Sequence, residues 1–99
     1  IAHSLADAGA NVVVSDLDQQ ECQEVVKEIE SKGGTALAGE CDVTSEEEIN
    51  SLTEETEQEF GGVDILINNA GIYIQKPIEE MTKEDIDDVI DINLKGVIN

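Results

Sequence analysis

Residues Ile65–Tyr73 read ILINNAGIY, and how this stretch is read decides the fold. An apolar run of strand character, Val63 to Asn68, stops abruptly at two amides, Asn68 and Asn69. The two smallest side chains, Ala70 and Gly71, follow. A short apolar run bounded by glycine on one side and turn residues on the other is the pattern of a strand buried on both faces. In an open parallel sheet, ligands bind beyond the carboxyl ends of such strands. Small residues there let another group approach the backbone closely, and Gly71 is free to adopt a positive φ. A tight strand-to-helix turn, for which Asn and Gly are the usual residues, accounts for the same letters and stays open at this point.

Working outward, the same alternation repeats. Residues 1–8 have the pattern of the tail of an amphipathic helix, with Ile1, Leu5 and Ala8 on one face and Gly9 as the stop. Asn11 to Ser15, NVVVS, is a nearly all-apolar strand ended by Asp16. Asp18 fits an N-cap for a helix running to about Lys32, with Cys22, Val25, Val26 and Ile29 as its apolar stripe. Gly33 and Gly34 end it. Thr35 to Val43 holds a second strand. Thr44 and Glu47 have capping-box spacing, and the helix they open carries Ile49, Leu52, Thr56 and Phe60 on one side before Gly61 and Gly62. Val63 to Asn68 is the third strand. After a loop through Pro77, Thr82 caps a last helix that continues to Asn99. Strands alternating with helices imply βαβ units and a parallel sheet, with no repeat, linker or low-complexity segment.

Composition narrows the function classes. Of 99 residues, 39% are hydrophobic but only 2% aromatic, so the core is aliphatic. The chain carries 24 acids against five basic residues, a net charge of −19; the five are all lysines and arginine is absent. Such a chain repels nucleic acid and anionic membrane surfaces, which excludes both as partners. A solvated acidic surface is the plain account of the charge, and adaptation to high salt is the sharper one. No apolar run approaches the roughly 18 residues of a membrane span, and nothing reads as a signal peptide. Cys22 and Cys41 lack metal-site spacing and read as reduced cytoplasmic thiols packed as small hydrophobes. His3 reads as a surface residue.

The strand ends supply the candidate site. Asp16, at the end of NVVVS, is placed to accept hydrogen bonds from adenosine ribose hydroxyls and to repel a 2′-phosphate. The segment offers no arginine, which favours NAD over NADP. An ordinary strand-end aspartate in a turn is the alternative. Asp42 and Val43 could hold the edge and face of an adenine, or simply lead into a helix cap. Asn93 falls at i+7 from Ile86, within a stripe made of Ile86, Val89, Ile90, Leu94 and Val97. A polar amide on a buried helix face is costly without a function, and a structural amide satisfying a backbone group is the alternative.

Taken at their spacings, VVVSD, CDVTSEEE, DILINNAG and DVIDINLKG closely resemble the classical short-chain dehydrogenases/reductases, and the resemblance covers the whole chain. It implies an α/β, Rossmann-type doubly wound parallel sheet, here partial, with family strands 2, 3 and 4 and their flanking helices. Residues 1–99 would then be part of a single NAD(P)-binding domain. The implied reaction is hydride transfer between a nicotinamide cofactor and a small alcohol or ketone, in the manner of 3-oxoacyl reductases or sugar and steroid dehydrogenases. A non-catalytic nucleotide-binding or regulatory member of the same fold is the alternative. By the resemblance, Asp16 grips the adenosine ribose, and Asp42 and Val43 flank the adenine. Asn69, Ala70 and Gly71 pass the ribose and nicotinamide half, and Asn68 steadies the sheet. Asn93 matches the catalytic asparagine, which interrupts its helix and helps hold a water in the proton relay. The last helix resembles the family's oligomer-forming helix, implying a dimer or tetramer.

Two family features have no counterpart here: the TGxxxGxG loop and the YxxxK pair. The only tyrosine, Tyr73, has Pro77 four residues on. The chain therefore reads as an internal segment, inactive by itself. In the family strand order 3-2-1-4-5-6, the strand between 2 and 4 is not among those present. The expectation is a two-strand ribbon and an orphan strand across a gap, without a stable contiguous sheet.

Overall fold

The structure is a computed structural model and describes residues 1–99. Its best-packed part is a parallel two-strand ribbon with helices packed against it. Strand β1, Asn11–Asp16, pairs with β2, Thr35–Glu40, in a register running from Asn11 opposite Thr35 to Asp16 opposite Glu40. A further bond, from the Cys41 N–H to the Asp16 carbonyl at 3.0 Å, extends the ladder. β2 thus ends at Glu40, short of Val43, because the chain turns away at Asp42.

The crossover is α2, Gln19–Ser31. Asp18 caps it as the sequence implies, one carboxylate oxygen accepting from the N–H groups of Gln20 at 2.9 Å and Glu21 at 3.3 Å. Gly33, at φ +86°, turns the chain out of the helix in a conformation that side chains disfavour. Cys22 and Ile29 from the α2 stripe are each only 1% exposed. Ile29 joins Ala6 of α1, Ala2–Asp7, and Val12 of β1 in the core, with Leu5, Val14, Val25 and Ala36 packed around them. Burying one such aliphatic side chain contributes about 1.5–3 kcal/mol. His3 reaches across from α1 to a hydrogen bond with Glu28 of α2 at 2.7 Å.

Helix α3, Glu46–Phe60, follows β2. Its cap is Ser45, whose hydroxyl accepts from the Glu48 N–H at 3.3 Å, rather than the Thr44 and Glu47 pair expected. Thr44 is unavailable because its own hydroxyl donates to Asp42 at 2.6 Å. Thr56, buried within the α3 stripe, donates its hydroxyl to the Leu52 carbonyl at 2.7 Å. Gly61, at φ +87°, closes the helix.

The expected third strand does not form a ladder. Residues 62–73 make no backbone–backbone hydrogen bond, and Ile65 and Leu66 stand 73% and 74% exposed. A strand is defined by a partner, and the free edge of β1 lies across a gap from this segment. The sheet is the two-strand ribbon plus a separate extended segment anticipated from the strand order.

A short 3-10 turn, Ile78–Glu80, precedes α4, Lys83–Ile90. Thr82 and Asp85 form a complete capping box at its start. Asp85 also accepts from Lys76 at 2.7 Å. The last helix is not continuous. Residues Asp91–Lys95 form a π-turn, and only Gly96–Ile98, α5, returns to α geometry. The stripe read as a buried face is open to solvent: Ile86, Ile90, Leu94 and Val97 are each more than two-fifths exposed.

Candidate functional site

The carboxyl ends of the apolar segments converge on one open groove of about 1360 Å³ between β1 and residues 62–72. Asp16, Asp42, Val43, Asn68, Asn69, Ala70 and Gly71 all line it. Its volume exceeds the ~300–1,000 Å³ usual for small-molecule sites, because it includes the gap beside the free β1 edge.

Asp16 is exposed at the end of β1 and accepts only a long hydrogen bond, 3.3 Å, from the Asp18 N–H. No lysine pairs with it; the ion pairs in the chain are His3–Glu28, Lys76–Asp85 and Lys95–Asp91. With Asp18 two residues on, this corner is anionic and has acceptor capacity to spare.

Asp42 is organised differently. One carboxylate oxygen accepts from both the hydroxyl and the N–H of Thr44, at 2.6 and 2.9 Å. These two bonds hold its pKa below the ordinary value, the hydroxyl bond foremost. The Asp42 carbonyl accepts from the Ser45 N–H at 3.0 Å, closing a tight turn with Val43 at its apex. Val43 presents an apolar wall to the groove, held by two groups the sequence reading missed. Its carbonyl accepts from the Asn99 amide at 3.0 Å, and its side chain packs on Gly96. Nothing in the local sequence signals these contacts, since Asn99 lies 56 residues away.

Asn93 sits in the π-turn, so the helix interruption implied by the resemblance is present. The amide is exposed, not buried as the stripe suggested, and its partner is the loop after Asn69–Ala70–Gly71. It accepts from the Ile72 N–H at 2.8 Å and donates to the Ile72 carbonyl at 2.8 Å. A Cβ at Gly71 would lie 3.4 Å from the Asn93 oxygen, so glycine keeps this approach uncrowded. Asn93 therefore binds the loop to the helix with both ends of its amide.

The cysteines stand apart from this chemistry. Burial, foremost, pushes the Cys22 and Cys41 thiols up, and the carboxylates of Asp16 near Cys22 and Glu48 near Cys41 add to it. Both are free. No helix is long and apolar enough to cross a membrane.

Polar groups gathered at strand ends, small residues at a strand-to-helix turn and an asparagine in a broken helix make up the candidate site, and comparison with known proteins specifies the class. The chain belongs to the short chain dehydrogenase family, an oxidoreductase family, which it matches over residues 1–99. A 3-oxoacyl-(acyl-carrier-protein) reductase of Staphylococcus aureus is 41% identical over 100 residues, covering all of this chain and 41% of the reductase. A 3-ketoacyl-ACP reductase from Sinorhizobium meliloti superposes with a TM-score of 0.93 at 34% identity, over 98% of this chain and 38% of that one. A gluconate 5-dehydrogenase from Burkholderia cenocepacia, solved in complex with NADP and tartrate, gives 0.88 at 31% identity, over 99% of this chain and 38% of that one. The fold is a partial Rossmann-type α/β domain, and the chain spans about two-fifths of the length of these relatives.

Proposed function

We propose that these residues supply the adenosine side and one catalytic asparagine of a nicotinamide-dependent reductase acting on a small ketone or alcohol, of the 3-oxoacyl reductase type. The observation that carries the reading is the convergence of Asp16, Asp42–Val43 and Asn69–Gly71 on one groove, with Asn93 fastened to its rim. The lining has the chemistry such a cofactor calls for: exposed carboxylate oxygens able to accept from ribose hydroxyls, an apolar wall able to receive a base, and small residues that permit close approach. Bound there, the nicotinamide would supply or accept the hydride.

Within that reading, the free Asp16 carboxylate accepts from the adenosine ribose hydroxyls. Asp42 holds the turn that carries Val43, which packs against the adenine. Ala70 and Gly71 keep the path of the cofactor clear. Asn93 fixes the loop beside the reacting end through Ile72, in the position of the asparagine that helps hold a water of the proton relay.

Asp16 also sets our choice of NAD over NADP. A 2′-phosphate would face Asp16 and Asp18 with no arginine in the chain to offset them. The gluconate dehydrogenase was solved with NADP, so the choice rests on these carboxylates and not on kinship. Asp16→Ala in the whole protein tests it through kcat/KM for NADH and NADPH. The ratio should move towards NADPH by roughly 10-fold or more, the value of a charged hydrogen bond of about 1.5–3 kcal/mol. An unmoved ratio removes the role.

The exposed stripe of Ile86, Ile90, Leu94 and Val97 supports association between copies of the protein. Leu94→Glu should then shift the mass measured by light scattering towards the monomer.

A further inference from the structure

We propose that Gly96 and Asn99 are positioning residues for Val43, and through it for the adenosine end of the bound dinucleotide; this rests on the reading of the groove given above. The turn at residues 41–45 is tied on either side of Val43 but not at it. Asp42 is held by Thr44 and Ser45. Val43 has no backbone partner of its own, and its carbonyl is satisfied only by the Asn99 side chain, at 3.0 Å.

Its side chain is placed by Gly96. A Cβ at position 96 would stand 2.6 Å from Val43 Cγ2 and 3.2 Å from Val43 Cβ. The first contact is with a β-branched side chain, which is stiff at χ1. The second is with an atom fixed by the backbone, so no rotamer change relieves it. Only movement of the 41–45 turn, or of the helix end, would make room. The bare glycine therefore sets how near α5 approaches the turn, and hence where the Val43 wall stands. Val43, Gly96 and Asn99 all border the groove, so a shift of the wall is a change in the site itself.

The test uses the whole protein. KM and kcat are measured with the reduced dinucleotide, alongside the inhibition constant of ADP-ribose, which carries the adenosine end without the nicotinamide, and the thermal midpoint. Gly96→Ala should raise both KM and the ADP-ribose constant about 10-fold, near the lower range of an overpacking cost, with kcat kept within about two-fold. In a Val43→Ala background, which removes the 2.6 Å contact with Cγ2 but keeps the milder one with Cβ at 3.2 Å, the loss added by Gly96→Ala should be clearly smaller than in the native background. Asn99→Leu should act in the same direction, by about three-fold, the low range for one hydrogen bond. It decides the matter should Gly96→Ala fail to fold. The proposal is overturned if the ADP-ribose constant is unchanged while the midpoint falls, if kcat falls with KM constant, or if the Gly96→Ala penalty persists undiminished beside Val43→Ala. ADP-ribose failing to compete in the unmodified protein would refute the cofactor reading itself, and this proposal with it.

Discussion

Replacing Asn93 with alanine removes both bonds that hold the loop after Gly71 to the broken helix. The Ile72 N–H and carbonyl each lose a partner at 2.8 Å. Nothing nearby can take over, because residues 62–73 make no backbone–backbone hydrogen bond. The pair is exposed, so each bond contributes only its net value against water, about 0.5–1.5 kcal/mol. Two together come to about 1–3 kcal/mol, or roughly 5- to 150-fold in the equilibrium for local opening. Amide hydrogen exchange reads that equilibrium residue by residue. The Ile72 amide should exchange faster by that factor in Asn93→Ala, while β1 amides such as Val13 keep their rates, since the ribbon shares no contact with the change. Asn93→Asp keeps the acceptor for the Ile72 N–H but sets a carboxylate oxygen against the Ile72 carbonyl, so it should protect Ile72 poorly as well. An Ile72 amide that exchanges equally fast with and without Asn93 would refute the latch and the positioning role built on it.

Other outcomes follow from named contacts. Gly34→Ala should cost about 2–3 kcal/mol in denaturant unfolding, because the new methyl would meet the Ile29 side chain, which has no room to swing, and the Ile29 carbonyl. Gly39→Ala should cost nearer 1 kcal/mol, since its obstacle is the end of the Leu52 side chain, which can turn aside. Lys76 foremost, with the Thr82 N–H, holds the Asp85 pKa below its ordinary value of 3.8. The stability this lends is present above that value and is lost as pH falls from it through the lower folded value, and Lys76→Met should make the acid-side slope in thermal midpoint shallower by Asp85's share, leaving that of Asp42 in place. Salt up to about 1 M should raise the midpoint, since only three ion pairs offset 24 acids; circular dichroism showing no change would sink the high-salt adaptation. Burial keeps Cys22 and Cys41 in thiol form, so iodoacetamide near pH 8 should label them only after unfolding.

Local physics made much of this legible beforehand. Asp18 and Thr82 cap helices because short side chains before an amphipathic run have few better uses, and Gly33 and Gly61 stop helices because they accept positive φ. The segment 63–68 has the composition of a strand but no ladder, as the strand order implied, because pairing belongs to the neighbour as much as to the segment. Thr44 lost its capping role to a competing bond with Asp42, a contest that spacing alone does not decide. The convergence of the strand ends was legible from the alternation of helices and strands, since parallel connections bring every carboxyl end to one side. Gly96 and Asn99 were not, because their meaning lies in a contact with a turn more than 50 residues earlier.

The π-turn at Asp91–Lys95 has a consequence for insertions and deletions. A π-turn holds one residue more than the α-turn it replaces, and each residue of an α-helix advances the direction of a side chain by about 100°. Deleting one residue from this turn would remove just that extra residue, so a regular helix would run through with the residues beyond it facing as they do now, and Gly96 would stay against Val43. Straightening the helix at its present length would instead rotate everything beyond it by about 100° and carry Gly96 away from Val43. This short stretch should therefore tolerate the loss of one residue better than a substitution that draws all of its residues into a regular helix.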